Sequence, residues 1–75
     1  MMNSDDEILK KHSVVISGHQ TSVTLENIFW SKLKEIARKK KKSLKELITE
    51  IDASRTTNLS SAIRVYILKQ TDTNP

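Results

Sequence analysis

Residues 20–25, QTSVTL, alternate with a period of two. On a strand, Thr21, Val23 and Leu25 point to one face, and Gln20, Ser22 and Thr24 point to the other. The first face suits a core, and the second is a short row of hydrogen-bonding side chains. A strand this short leaves unpaired N–H and C=O groups along its edges, so it needs a partner strand. A copy of itself from a second subunit is the economical choice. Seventy-five residues make one domain with a small core, and chains of that size are often marginal alone.

A second strand is expected just upstream. Residues 13–17, SVVIS, are β-branched, and the chain's one glycine, Gly18, follows at once. Glycine at the first central position suits a type II′ turn on Gly18 and His19. That turn pairs Ile16 with Thr21 and Val14 with Val23 on the core face. It leaves Ser13, Val15 and Ser17 on the face of Gln20, Ser22 and Thr24; one long strand is the alternative. Residues 1–11 are polar and acidic and read as a flexible tail, and residues 71–75 read as a frayed end.

From Glu26 the period becomes helical. Phe29, Leu33, Ile36 and Ala37 fall on one helix face, with Trp30 beside them. Glu26 in the first turn and the bases from Arg38 to Lys40 in the last suit the helix dipole. Ser43-Leu44-Lys45-Glu46 fits a capping box, which starts a second helix with Leu44, Leu47, Ile48 and Ile51 facing inward. Asn58 is a good N-cap for a third helix, from Leu59 to about Lys69. Its stripe is Leu59, Ala62, Ile63 and Tyr66, widened by Val65 and Leu68. A helix apolar over so much of its circumference is expected to pack on two surfaces, its own subunit and a partner.

Charge narrows the function. The formal net charge is +4, but Asp5, Asp6 and Glu7 sit in the tail, so residues 8–75 carry thirteen bases against six acids, or +7. A basic excess on a small domain points to a polyanion, most often nucleic acid, with a merely soluble basic surface as the plain alternative. There is no cysteine, so disulfides and thiolate metal sites are excluded and the cytoplasm is the default. No apolar run is long enough for a signal segment or a membrane span.

A strand, a helix, a basic turn and a capped second helix form an ordered pattern. Over residues 20–51, QTSVTLENIFWSKLKEIARKKKKSLKELITEI, the chain resembles the ribbon-helix-helix family of bacterial DNA-binding proteins, the Arc/MetJ type. The segments SGHQTSVTLE, FW and NLSSAIRVYIL are similar to a group of small bacterial ribbon-helix-helix proteins with an extra C-terminal helix. The resemblance implies a mostly α fold with a short β-ribbon, as an intertwined homodimer plus a third helix, over residues 12–70. It implies an antiparallel ribbon, one strand per subunit, in the major groove of double-stranded DNA.

In that arrangement Gln20, Ser22 and Thr24 contact base edges. Glutamine can pair with adenine N6 and N7, and the hydroxyls can donate or accept. Any half-buried strand also has a polar outer face, so the helices behind it carry the reading. The resemblance places phosphate contacts at Lys42, Ser43, the backbone N–H of Leu44, and Lys45. A helix N-terminus holds phosphate through unpaired N–H groups and positive partial charge. A run of five bases can equally be a solvated helix end, and Ser43 is explained as an N-cap.

Two departures from the family pattern stand out. The family commonly has glycine in the turn between its helices, where φ is positive; here Lys41 sits there, at a strain of about 1 kcal/mol. If the upstream hairpin forms in both subunits, the sheet has four strands. Its three gaps of about 4.8 Å span roughly 14 Å, against a major groove about 12 Å wide. Residues 13–17 are then expected to splay away or stay off the sheet, or the ribbon face is not the DNA face.

Other signals are slight. His12 and His19 lack partners at metal spacing, and Trp30 beside an apolar stripe reads as core rather than as a base-stacking ring. No phosphate loop and no nucleophile–base arrangement is present, so no enzymic activity, metal or cofactor is expected. The sequence thus reads as a DNA-binding homodimer, a small transcriptional regulator with an antitoxin-like role and a protein partner within range. The alternative is a dimeric protein-interaction module without DNA binding.

Overall fold

The computed structural model describes residues 4–72. A 3-10 turn, Ser4–Glu7, leads into strand β1, Leu9–Ile16, and strand β2, His19–Glu26. Three helices follow: α1, Asn27–Lys39; α2, Leu44–Ser54; and α3, Leu59–Asp72. The first three residues of the expected tail and the last three of the expected frayed end lie outside the described residues. Within them, β1 starts at Leu9 rather than at Ser13, and α3 runs on through Thr71 to Asp72.

The strands form an antiparallel hairpin, so residues 13–16 do not splay from β2. The turn differs from the type II′ expectation. Ser17 and Gly18 occupy its centre with φ of 51° and 80°. Positive φ at both positions makes a type I′ turn, whose twist matches that of paired strands. The register therefore slips by two: Ile16 faces His19, Val14 faces Thr21, and His12 faces Val23. A slip of two preserves the faces, whereas a slip of one would have inverted them. It also extends the ladder to Leu9 opposite Glu26.

The inner face of the hairpin closes the core. Ile16, Val23 and Leu25 are buried with Leu33 and Ala37 of α1, Leu47, Ile48 and Ile51 of α2, and Ala62, Ile63 and Ile67 of α3. Val14, Phe29, Trp30, Ile36, Leu44, Leu59 and Tyr66 pack around this cluster. On α3 the buried stripe runs through Ala62, Ile63 and Ile67, while Val65 (49% exposed) and Leu68 (61%) face outward. Ile67 escaped the sequence reading because residues 62–68 are apolar almost all round, so periodicity alone could not choose a face.

Caps position the helices. The Glu46 N–H donates to Ser43 Oγ (3.0 Å), and the Ser43 N–H donates to Glu46 Oε1 (2.9 Å), completing the capping box. The Ser61 N–H donates to Asn58 Oδ1 (2.9 Å) and caps α3. Helix α1 ends in a Schellman motif. There the Lys42 N–H donates to the Ala37 carbonyl (3.0 Å) and the Lys41 N–H to the Arg38 carbonyl (3.1 Å). Lys41 takes φ of 58°, the left-handed conformation the family's glycine would adopt without strain. Glu26 precedes α1 as its N-cap residue without a side-chain cap bond, and its carboxylate accepts from Arg64 Nε of α3 instead (2.9 Å).

Candidate nucleic-acid interface

Gln20, Ser22 and Thr24 stand in a row on the face of β2 opposite the buried Val23 and Leu25. Gln20 and Ser22 are exposed, and Thr24 is half-buried. β1 contributes to the same face, because paired residues of an antiparallel ladder share a side. Val15 stands beside Gln20, Ser13 beside Ser22, and Lys11 beside Thr24. All three are exposed, and Val15 is one of the large apolar side chains left in solvent. Sequence reasoning put Ser13 and Val15 on this face but left Lys11 in the tail.

The hydrogen-bond phase of the hairpin sets its edges. The Asn27 N–H donates to the Ile8 carbonyl (2.9 Å). Bonded pairs alternate along an antiparallel ladder, so Leu25–Lys10, Val23–His12 and Thr21–Val14 exchange bonds as well. The backbone groups of Gln20, Ser22 and Thr24 then point to the free edge of β2. Ser60 of α3 meets that edge, donating its hydroxyl to the Thr24 carbonyl (2.8 Å).

The second group of expected contacts gathers at the start of α2. The N–H groups of Leu44 and Lys45 occupy the first two helical positions, where an α-helix offers no internal acceptor. Ser43 Oγ accepts from Glu46, which leaves its own hydroxyl proton to donate. Lys45 is exposed and, among the described residues, forms no ion pair. Lys42 is engaged: its Nζ lies 2.7 Å from both Glu50 carboxylate oxygens. That hydrogen bond raises the Lys42 pKa above the ordinary lysine value. The Glu46 pKa is lowered, chiefly by the Ser43 N–H, so its carboxylate stays charged beside the same helix end. Lys39 lies 3.5 Å from Glu35, and Lys40 sits 5.7 Å from the centre of the Tyr66 ring.

Among the described residues, no hydrogen bond or ion pair joins Gln20, Ser22 or Thr24 to Lys42, Ser43, Leu44 or Lys45. Thr24 meets α3 at Ser60, whereas Lys40 meets it at Tyr66, about 9 Å further along the helix. The surface offers a polar ribbon face at one place and a helix N-terminus with an unpaired lysine at another.

His12 faces the core side of the ribbon, opposite Val23, and stacks on Trp30, ring centres 3.7 Å apart and planes 6° from parallel. The indole is therefore not open to a base. The His12 pKa is lowered by burial first, then by Lys10 and Lys34. Among the described residues, no group of three potential ligands could hold a metal ion, and no helix is long and apolar enough to cross a membrane.

Among proteins with curated descriptions, none matches the chain. Among solved structures, it is similar to an uncharacterized protein from Bordetella pertussis Tohama I, with 27% identity and a TM-score of 0.81. That likeness covers 95% of this chain and 62% of the other, so this chain spans under two thirds of its neighbour. Residues 9–71, which contain the hairpin, the capped basic turn and nearly all of α3, match the ribbon-helix-helix domain, and the chain belongs to that family.

Proposed function

We propose that this protein is a bacterial, cytoplasmic transcriptional regulator that binds double-stranded DNA sequence-specifically as a homodimer, with the ribbon in the major groove. Ribbon-helix-helix domains in general are non-enzymatic DNA-binding regulators, some of them antitoxin-like, and form dimers. The observation that carries the reading is the polar row of exposed Gln20 and Ser22 and half-buried Thr24, on the face opposite the buried Val23 and Leu25. Base edges are read by those three side chains, and phosphate is held by Lys42, Ser43, the Leu44 N–H and Lys45. Val65 and Leu68 on α3 support a second copy as partner, because exposed apolar side chains on one helix suit a protein contact. The same two residues favour the second reading, a dimeric interaction module that does not touch DNA.

Fluorescence anisotropy against a pool of random duplexes, over a range of salt, separates the two. A DNA binder loses affinity linearly on log–log axes, with a slope of about −0.9 for each phosphate neutralised. Weak binding that ignores salt would favour the interaction module. Sedimentation equilibrium of the same samples reports the dimer.

A further inference from the structure

We propose that β1 is a phosphate-holding strand: when the ribbon shared by two subunits enters the major groove, Lys11 and Ser13 of each β1 contact the DNA backbone along the two rims of that groove. This rests on the DNA-binding reading above and adds contacts outside the strand pair that reads bases.

The placement follows from which edge of β2 is taken. A strand has two edges, and β1 pairs along one of them through all of β2, from Leu9 opposite Glu26 to Ile16 opposite His19. A ribbon with one strand from each subunit therefore joins β2 to its copy along the other edge, toward which the backbone groups of Gln20 and Ser22 point. β1 is then the outer strand on each side of the two-fold axis. At about 4.8 Å per gap, β2 lies roughly 2.4 Å from that axis and β1 roughly 7 Å from it. The major groove is about 12 Å wide, so its walls stand about 6 Å from the same axis. The central pair fits between the walls, and the β1 strands come down on the sugar–phosphate rims.

The side chains match that division. Paired residues share a face, so Lys11 stands beside Thr24 and Ser13 beside Ser22, and both are exposed. The β2 row of Gln20, Ser22 and Thr24 carries no charge and holds groups suited to base edges. The β1 row holds the positive charge, in Lys11, with a hydroxyl two residues on; lysine and serine both donate to phosphate. Among the described residues Lys11 forms no ion pair, whereas Glu50 holds Lys42. Its flexible four-carbon stem lets the ammonium find a phosphate without fixed geometry. Lys10, one residue earlier, pairs with the buried Leu25 and faces the helix side of the sheet with His12.

The test measures binding over a range of salt, on a site selected in vitro by the parent and on random duplex. Lys11→Gln should weaken both alike and keep the preference between them. Its log–log salt slope should be shallower by about 1.8 per dimer, which is about 0.9 for each of two lysines. Ser13→Ala should weaken both duplexes without moving the slope, because no charge is lost. Lys11→Arg should keep the slope of the parent, and Lys10→Gln, which removes the same charge from the opposite face, should keep it too. Melting of each variant beside the parent shows that the fold is retained. A parental slope in Lys11→Gln, or equal shifts from Lys10→Gln and Lys11→Gln, would overturn the proposal while DNA binding stands. A loss of site preference in Lys11→Gln would also overturn it, by making Lys11 a base reader. A parent that binds no duplex would end both readings. Ethylation of backbone phosphates gives an independent check: modified phosphates on the rims flanking the site should hinder the parent more than Lys11→Gln, and equal hindrance would place β1 away from the backbone.

Discussion

At the scale of single residues, Lys41 shows best what a sequence states about strain. The capping box at Ser43 fixes where α2 begins, which leaves Lys41 at the left-handed position two residues earlier. A lysine there costs about 1 kcal/mol relative to glycine, so Lys41→Gly should raise the melting temperature by about 4–8 °C. Calorimetry would show it, and an unchanged midpoint would mean the Schellman bonds already offset the strain. His12 makes a different point. Its stack on Trp30 was hidden because the polar segment ahead of Ser13 gives no strand pattern of its own; only pairing with β2 draws Leu9, Lys10 and Lys11 into the ladder. The folded His12 pKa lies below the unfolded value of about 6.5, so the unfolded chain binds the proton first. Stability should therefore fall as pH drops from about 6.5 toward the folded value. Glu26 and Glu46, both depressed, add losses as pH falls below the ordinary carboxylate range and through their folded values. Urea titrations of His12→Phe should lose the first step and keep the second; persistence of both steps would assign the upper one to another group.

At the scale of elements, alternation on β2 is legible from six residues, and the hairpin is legible from its composition, but its register is not. Gly18 serves either turn, and the choice depends on whether Ser17 accepts a positive φ, which sequence does not state. The faces survive because the slip is an even one. Leu25→Ala, on the inner face, should cost about 2–5 kcal/mol, while Ser22→Ala, on the outer face, should stay within about 0.5 kcal/mol. Equal costs would contradict the assigned faces. The basic turn was legible as a cluster of charge but not as a set of pairs, because Glu50 lies two turns along α2 from Lys42 and reaches it only once the turn has formed. Since Glu50 occupies Lys42, Glu50→Gln should tighten binding to every duplex and steepen the salt dependence, whereas Lys45→Gln should make the slope shallower by about 0.9 per bound chain. A Glu50→Gln protein with unaltered salt slope would remove Lys42 from the phosphate site.

At the scale of the whole molecule, the fold separates what must be buried from what must be read. The core residues of the ribbon and the helices are complete in one chain, and the residues assigned to DNA lie outside that core. Stability and recognition should then respond to different substitutions. The order of elements and the family were legible from the sequence, because a period of two followed by capped helical stripes leaves few alternatives. The contact of the third helix with β2 was not, because Ser60 reaches the Thr24 carbonyl only once the chain has folded. Whether the outer face reads sequence is tested most directly by Gln20→Ala with Ser22→Ala and Thr24→Ala, measured for melting and for competition between a selected site and random duplex. The variant should melt near the parent, within about 0.5 kcal/mol for each exposed substitution, and keep a weak, salt-sensitive affinity for any duplex through Lys45 and the start of α2. Its preference for the selected site should be largely gone, because each lost base contact is worth about 1–3 kcal/mol. A folded variant with undiminished site preference would contradict the account, and the ribbon would then not be where this protein reads DNA.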